Sequence, residues 1–203
     1  MTKEIALKPS PRDRHKADIR ARILIGLMAL LTDGEEINHD RVAERAGVAR
    51  RTVYRYFPDQ SALMQSLWAS VTAMADPSLT YPESEQAMLT SLPDIHRGFD
   101  AIAPVATVVR STPQGRKVRL AEKARRQKSY TNATADAVKA LRPRDRLLAT
   151  AMLQMLHTAP WLEMRDGWDL DGDQIAESCG WAMRVLLKDL RARAGRPLSE
   201  GPA

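Results

Sequence analysis

Apolar residues recur along this chain at helical spacing and almost nowhere at strand spacing. Ile19, Ile23, Leu27 and Leu30 follow one another at intervals of four, four and three. Leu24 and Leu31 widen that stripe, and Gly34 stands where a helix would stop. The spacing predicts a helix from Arg12 to Thr32. Asn38 can cap a short helix over His39–Ala46, and Gly47 can end it in the left-handed conformation that glycine tolerates. A second short helix, Arg50–Phe57, is stopped by Pro58, and a longer one begins at Asp59 or Ser61 and reaches Met74. Further helical segments are expected over 84–102 with a break near Pro93, over 104–111, 114–141, 143–165 and 173–194, with Pro104, Pro113 and Pro143 at boundaries. Sustained two-residue alternation and Asn-Gly or Asp-Gly hairpins are absent from the sequence, so the expected fold class is all-α.

Several function classes are disfavoured at once. Cys179 is the single cysteine, which rules out an internal disulfide framework and a cysteine-based zinc cluster. No uncharged apolar run approaches the ~20 residues that span a bilayer, and the N-terminal residues, charged at Lys3, Glu4, Lys8, Arg12, Asp13 and Arg14, lack a signal-peptide core. A soluble cytoplasmic protein without a membrane partner is expected. The four histidines (His15, His39, His96, His157) show no metal-ligand spacing, and no phosphate loop or nucleophile elbow occurs. The expectation is therefore no enzyme, no cofactor and no metal.

The net charge of +6 is unevenly spread. Residues 1–60 carry 12 basic and 9 acidic side chains, net +3, and residues 110–146 carry 12 and 3, net +9. The first block contains the informative stretch, N-H-D-R-V-A-E-R-A-G-V-A-R-R-T-V-Y-R-Y-F from Asn38 to Phe57. Two short helices around Ala46-Gly47-Val48-Ala49 make a helix-turn-helix plan, with Val42, Ala43, Ala46, Val48, Val53 and Phe57 as its small core. The second helix then offers Arg50, Arg51, Thr52, Tyr54, Arg55 and Tyr56 to the outside. Arginine pairs bidentately with guanine, while tyrosine and threonine hydroxyls suit phosphate oxygens, so these residues point to a DNA major groove.

The stretch from about Arg14 to Trp68 resembles the N-terminal domain of TetR-type transcriptional repressors, whose signature appears here as Val42-Ala43, Ala46-Gly47-Val48, Thr52, Tyr54, Tyr56-Phe57 and Leu63. The resemblance implies a three-helix DNA-binding domain followed by a larger helical domain for effector binding and dimerisation. It implies that Thr52, Tyr54 and Tyr56 touch phosphate or base edges, and that Arg50, Arg51 and Arg55 vary with the operator. Family members usually carry a lysine where this chain has Gln60; Gln60 is expected to hydrogen-bond phosphate in its place, with Arg14, Arg20 or the N-terminal arm offsetting the lost charge. His39, where an apolar residue is common, reads as a surface histidine.

The expected organisation is a flexible arm over 1–11, the helix-turn-helix domain over 12–58 continuing through a connecting helix at 59–75, an effector and dimerisation domain over 76–194, and a disordered tail over 195–203. Residues 147–164 are apolar nearly all round, and 175–190 add a second apolar helix preceded by a capping pair, Asp171 and Gln174. These two helices suit an isologous dimer interface, with Leu156, Trp161, Trp181, Val185 and Leu186 as candidates, matching a palindromic operator. His96, Phe99, Ile102, Tyr130, Met152, Met155 and Trp161 are candidates for an effector pocket, the effector being anionic or hydrophobic; His157 reads as a satisfied core histidine. The basic segment 110–146 is read first as a solvated helix face, with an anionic effector and auxiliary DNA contact as alternatives. The resulting expectation is a dimeric repressor, sequence-specific for double-stranded DNA and released by a small molecule. The alternative is a DNA-binding protein controlled by a protein partner or acting architecturally.

Overall fold

The computed structural model describes residues 10–76, 78 and 80–201. The expected arm therefore lies, except for Ser10 and Pro11, outside the described residues. Among the described residues there are twelve helices and no strand. They are α1 (Pro11–Thr32), α2 (His39–Ala46), α3 (Arg50–Tyr56), α4 (Gln60–Ala75), α5 (Glu85–Thr90), α6 (Leu92–Ala101), α7 (Ala103–Ser111), α8 (Pro113–Ala121), α9 (Lys123–Val138), α10 (Pro143–Thr158), α11 (Trp161–Trp168) and α12 (Gly172–Ala192). The expected helix over 114–141 is broken at Glu122, whose ψ of 18° leaves the helical region. The one over 143–165 breaks at Ala159-Pro160, because proline at position 160 has no amide to continue the ladder.

The chain forms two compact units, one built from the residues up to Ser70 together with Ser111–Ala121, the other from Val71–Arg110 and Glu122 onward. Helix α8, expected with the larger domain, is thus grouped with the smaller.

In the first unit the stripe of α1 buries Ile23, Leu27, Leu30 and Leu31 with Ile37, Val42, Val53, Phe57, Leu63 and Leu67. Burying each such side chain contributes about 1.5–3 kcal/mol. Gly26 lies where α1 meets the end of α2: a Cβ there would stand 3.2 Å from the Ala46 amide nitrogen. Glycine within the apolar second half of α1 thus permits a backbone approach.

The second unit centres on α12, which is started by a full capping box. Asp171 accepts from the Gln174 amide at 2.9 Å, and the Gln174 side chain accepts from the Asp171 amide at 3.0 Å. Its buried face (Ile175, Cys179, Met183, Leu187, Leu190) packs with α6, α9 and α10. Gly172 abuts α6 so closely that a Cβ would come within 2.6 Å of the His96 carbonyl carbon. The tail expected to be disordered over 195–203 is described as far as Gly201; there Arg193, itself buried, donates to the carbonyls of Pro197 and Glu200 at 2.8 and 3.2 Å, and residues 202–203 lie outside the described residues.

Candidate nucleic-acid interface

Helix α3 is held by its neighbours rather than by its own seven residues, which are too few to be stable alone. The Asn38 side chain caps α2 by accepting from the Arg41 amide at 3.0 Å. Gly47 ends it at φ +61°, and the chain turns there into α3. Arg22, reaching from α1, donates to the carbonyls of Ala46 and Gly47 at 2.8 and 2.7 Å, satisfying acceptors left open at that helix end. Val53 and Phe57 then fasten α3 to the core.

His39, expected on the surface, is buried. Its Nε2 lies 2.8 Å from the Phe57 carbonyl oxygen, so it ties the start of α2 to the end of α3. Its ring also stacks face to face on Tyr54, with centroids 4.0 Å apart and planes 6° from parallel. The physical reason is position: the first residue of α2 faces the C-cap of α3, whose carbonyl needs a donor.

Of the candidate DNA-contacting residues, Arg51, Arg55 and Arg14 are exposed, and Tyr54 keeps 40% of its surface in solvent. Arg50 is exposed but paired, its Nε 2.8 Å from Asp40, with its guanidinium 5.5 Å from the Tyr54 ring centre. Arg55 lies over the Tyr56 ring at 5.4 Å. Tyr56 is half-buried and donates its hydroxyl to the Lys16 carbonyl at 3.3 Å, while Thr52 is half-buried. Gln60 spends its amide internally: Nε2 donates to the Ile37 carbonyl at 2.6 Å. That bond, between residues 23 apart, carries no signature in the sequence, and it turns the expected phosphate ligand into a brace for the start of α4. Arg41 and Arg45 are likewise engaged, pairing with Glu35 and, for Arg45, Asp33. The outward set on α3 is therefore Arg51, Tyr54 and Arg55, flanked by Arg50.

In the second unit the candidate pocket residues separate into two groups. His96, Ile102, Tyr130 and Trp161 are buried and Phe99 is half-buried. Met152 and Met155 are exposed on α10, beside Leu147 and Leu148. Those two methionines do not line an interior wall; the apolar surround of α10 hides which face turns outward. Among the dimer candidates, Trp181 (65% exposed) and Val185 (52%) stand one turn apart on the outside of α12, and Leu156 and Leu186 are half-buried. Trp161 has no exposed surface, so it is a core residue of its own subunit and not an interface residue.

Two buried polar arrangements accompany that core. His157 is satisfied on both sides, with Tyr130 Oη 2.5 Å from Nδ1 and Ser91 Oγ 3.1 Å from Nε2. Burial lowers the His157 imidazole to about 4 and raises the Tyr130 phenol. Asp100 accepts from the Trp161 indole at 2.8 Å and from the Gly172 amide at 2.6 Å. It borders an open cleft of about 640 Å³, which Ala103, Arg165, Asp166, Asp169, Leu170 and Asp171 complete. No group of metal-ligating side chains occurs among the described residues, and none of the described helices is long and apolar enough to cross a membrane.

Comparison with known proteins bears on the smaller unit first. Residues 37–67, from the start of α2 into α4, match the family model for bacterial regulatory proteins of the tetR family. No curated protein matches the chain. Among solved structures, native NalD, the secondary repressor of the MexAB-OprM multidrug efflux pump in Pseudomonas aeruginosa, is similar with a TM-score of 0.58 and 16% identity, over 84% of this chain and 96% of that one. A TetR transcriptional regulator from Rhodococcus sp. RHA1 gives a TM-score of 0.47 at 22% identity, over 85% and 98% of the two chains. RolR in complex with resorcinol gives 0.44 at 20%, over 92% and 98%. The likeness to NalD supports the fold: an N-terminal helix-turn-helix followed by a larger helical region.

Proposed function

We propose that this chain, whose helix-turn-helix domain is of the tetR type, is a dimeric, sequence-specific DNA-binding repressor that a small-molecule effector releases from a palindromic operator. The observation that carries the reading is the division of α3. Val53 and Phe57 are spent on the core, while Arg51, Tyr54 and Arg55 are left on the solvent side of an element able to enter a major groove. Arg51 reads base edges, Arg55 and Arg14 meet phosphates, and Tyr54, clamped by the His39 ring, presents a hydroxyl whose position is fixed before DNA arrives.

Dimerisation uses the outer faces of α10 and α12. Leu148, Met152 and Met155 recur at helical spacing on one, and Trp181 and Val185 on the other. An exposed apolar surface of this kind is covered in solution by a partner, and a second copy provides the two-fold symmetry a palindrome needs. The effector acts in the second unit and dissociates DNA only to the extent that it binds the released conformer more tightly. Action in the cytoplasm follows from the target.

Footprinting of the promoters of its own gene and its neighbour at moderate salt tests the reading. A protected inverted repeat is expected, and its absence refutes the proposal. Arg51→Ala should weaken binding by about 1–3 kcal/mol and relax preference at one base pair per half-site. Trp181→Glu should yield a folded monomer by sedimentation, and an intact dimer would move the interface elsewhere.

A further inference from the structure

Helix α12 turns one face to solvent, and the charges on that face are of two kinds. Those near its ends are paired within the second unit: Asp173 with Arg97 of α6 at 2.7 Å, and Arg191 with Glu85 of α5 at 2.5 Å. Those between, Glu177, Arg184 and Lys188, are exposed, and their side chains have no ion-pair or hydrogen-bond partner among the described residues. Trp181 and Val185, both more than half exposed, stand in the same interval.

Four of these five residues form an ordered stripe. Glu177, Trp181, Val185 and Lys188 follow one another at intervals of four, four and three, so at about 100° per residue they fall within about 80° of the helix circumference. The stripe is about 16 Å long, acidic at one end, basic at the other, with the tryptophan and the valine between. Reversed, it is its own complement. Across a two-fold axis level with Ala182 and Met183, Glu177 meets the partner's Lys188 and Trp181 meets the partner's Val185, and each contact is made twice. The large ring then lies against a small side chain. A parallel arrangement sets glutamate against glutamate and lysine against lysine, which repels at both ends, and brings the two tryptophans together. Arg184 shares the face but lies back against Gly180 of its own helix. A tryptophan inside such a contact carries affinity, while charges at its rim set register and exclude wrong partners.

We infer that α12 pairs antiparallel with α12 of a second copy of this chain through that stripe, and that two reciprocal Glu177–Lys188 ion pairs fix the register and reject chains whose charges differ there. The inference rests on the dimeric reading above and adds the geometry and the partner choice of that contact. A stripe that complements itself specifies a second copy as its occupant, because both halves of each ion pair are already present in one sequence.

Sedimentation equilibrium of the full-length chain at moderate salt gives the monomer–dimer Kd, with thermal unfolding as the check on the fold of each variant. Glu177→Lys alone and Lys188→Glu alone should each weaken self-association about tenfold or more, since each turns two reciprocal attractions into two repulsions. The two changes move the net charge of +6 in opposite directions, so bulk charge does not account for a loss in both. Mixed in equal amounts, the two single variants should form a heterodimer. The double variant Glu177→Lys with Lys188→Glu should return to within about threefold of the parent. Raising the salt should narrow the gap between the parent and the single variants. Self-association of either single variant within about twofold of the parent, no recovery in the double variant, or recovery of Glu177→Lys by Arg184→Glu in place of Lys188→Glu would each overturn the register and leave the parent a dimer. A parent chain that stays monomeric overturns the stripe together with the dimeric reading. A dimer with the expected charge dependence that protects no operator keeps the stripe and refutes the repressor.

Discussion

Removing the Asp100 carboxylate should loosen the second unit by unfastening two elements at once. Oδ1 holds the indole of Trp161, which is wholly buried, and Oδ2 holds the amide of Gly172, the first residue of α12. In Asp100→Ala both donors lose their acceptor in a site that Gly172 itself keeps tight, since that glycine lies directly against the His96 backbone. Each buried donor left unmatched costs about 1–3 kcal/mol, and loss of a carboxylate at a helix N-terminus adds about 0.3–1 kcal/mol. The total is about 2–7 kcal/mol, equivalent for a chain of this size to a fall in Tm of roughly 5–28 °C. Asp100→Asn keeps one carbonyl acceptor and turns an NH₂ group toward the other donor, so it should lose roughly half as much stability. A double-mutant cycle with Trp161→Phe isolates the indole bond, whose coupling should be about 1 kcal/mol or more. Urea unfolding supplies the free energies, and hydrogen exchange should show faster exchange at the first turn of α12 with no change in α2 or α3. Destabilisation below about 1 kcal/mol in Asp100→Ala, or an unchanged exchange rate at Gly172, would refute the argument that this carboxylate closes the end of α12.

Acid should destabilise the protein earlier than its carboxylates alone would: His96 and His157 are lowered to about 4 by burial, while an unfolded histidine titrates near 6.5. The unfolded chain therefore binds more protons between those values, so stability is full above pH 6.5 and falls as pH drops toward 4. The loss for the pair is about 2 kcal/mol between pH 6 and pH 5, and a stability profile flat across that unit contradicts the assignment. Gly47→Ala places a Cβ on a residue at φ +61° and 3.0 Å from the Arg22 guanidinium nitrogen. It should cost about 1–2 kcal/mol and weaken operator binding further by tilting α3; unchanged thermal stability refutes the strain.

What could be read from the sequence is what local chemistry writes into neighbouring positions. Asn38, Gly47, Asp171 and Gln174 act within three or four residues of themselves, and each does in the structure what its type suggests. The period of α1 and the helix-turn-helix spacing are equally local. What stayed hidden acts across the chain. His39 meets Phe57 eighteen residues on, Gln60 reaches back to Ile37, Arg22 closes the end of α2, and Asp100 joins residues 61 and 72 positions away. No periodicity marks a side chain for a partner that distant. Helix α10 failed differently: with apolar residues nearly all round, its sequence could not separate buried Leu153 from exposed Met152 and Met155.

The charges of the smaller unit follow from the same distinction. Twelve basic residues in the first sixty suggest a generous electrostatic footprint, yet Arg22 is engaged with backbone carbonyls, Arg41 and Arg45 with acidic residues of the α1–α2 connection, and the Gln60 amide with the Ile37 carbonyl. Arg50 occupies a middle position. Its pair with Asp40 is exposed on both sides, and such pairs contribute only about 0–1 kcal/mol. A DNA phosphate can therefore exchange for Asp40 at little cost, whereas drawing Gln60 away would leave the Ile37 carbonyl without its donor. The salt dependence of operator binding should accordingly reflect Arg14, Arg55 and a recruited Arg50 on each subunit, each adding about 0.9 to the slope of log K against log salt. Asp40→Asn frees Arg50 in advance, so it should tighten binding with little change in slope. If the same substitution weakened binding, Asp40 would be orienting Arg50 toward DNA, and the pair would be part of the reading surface itself.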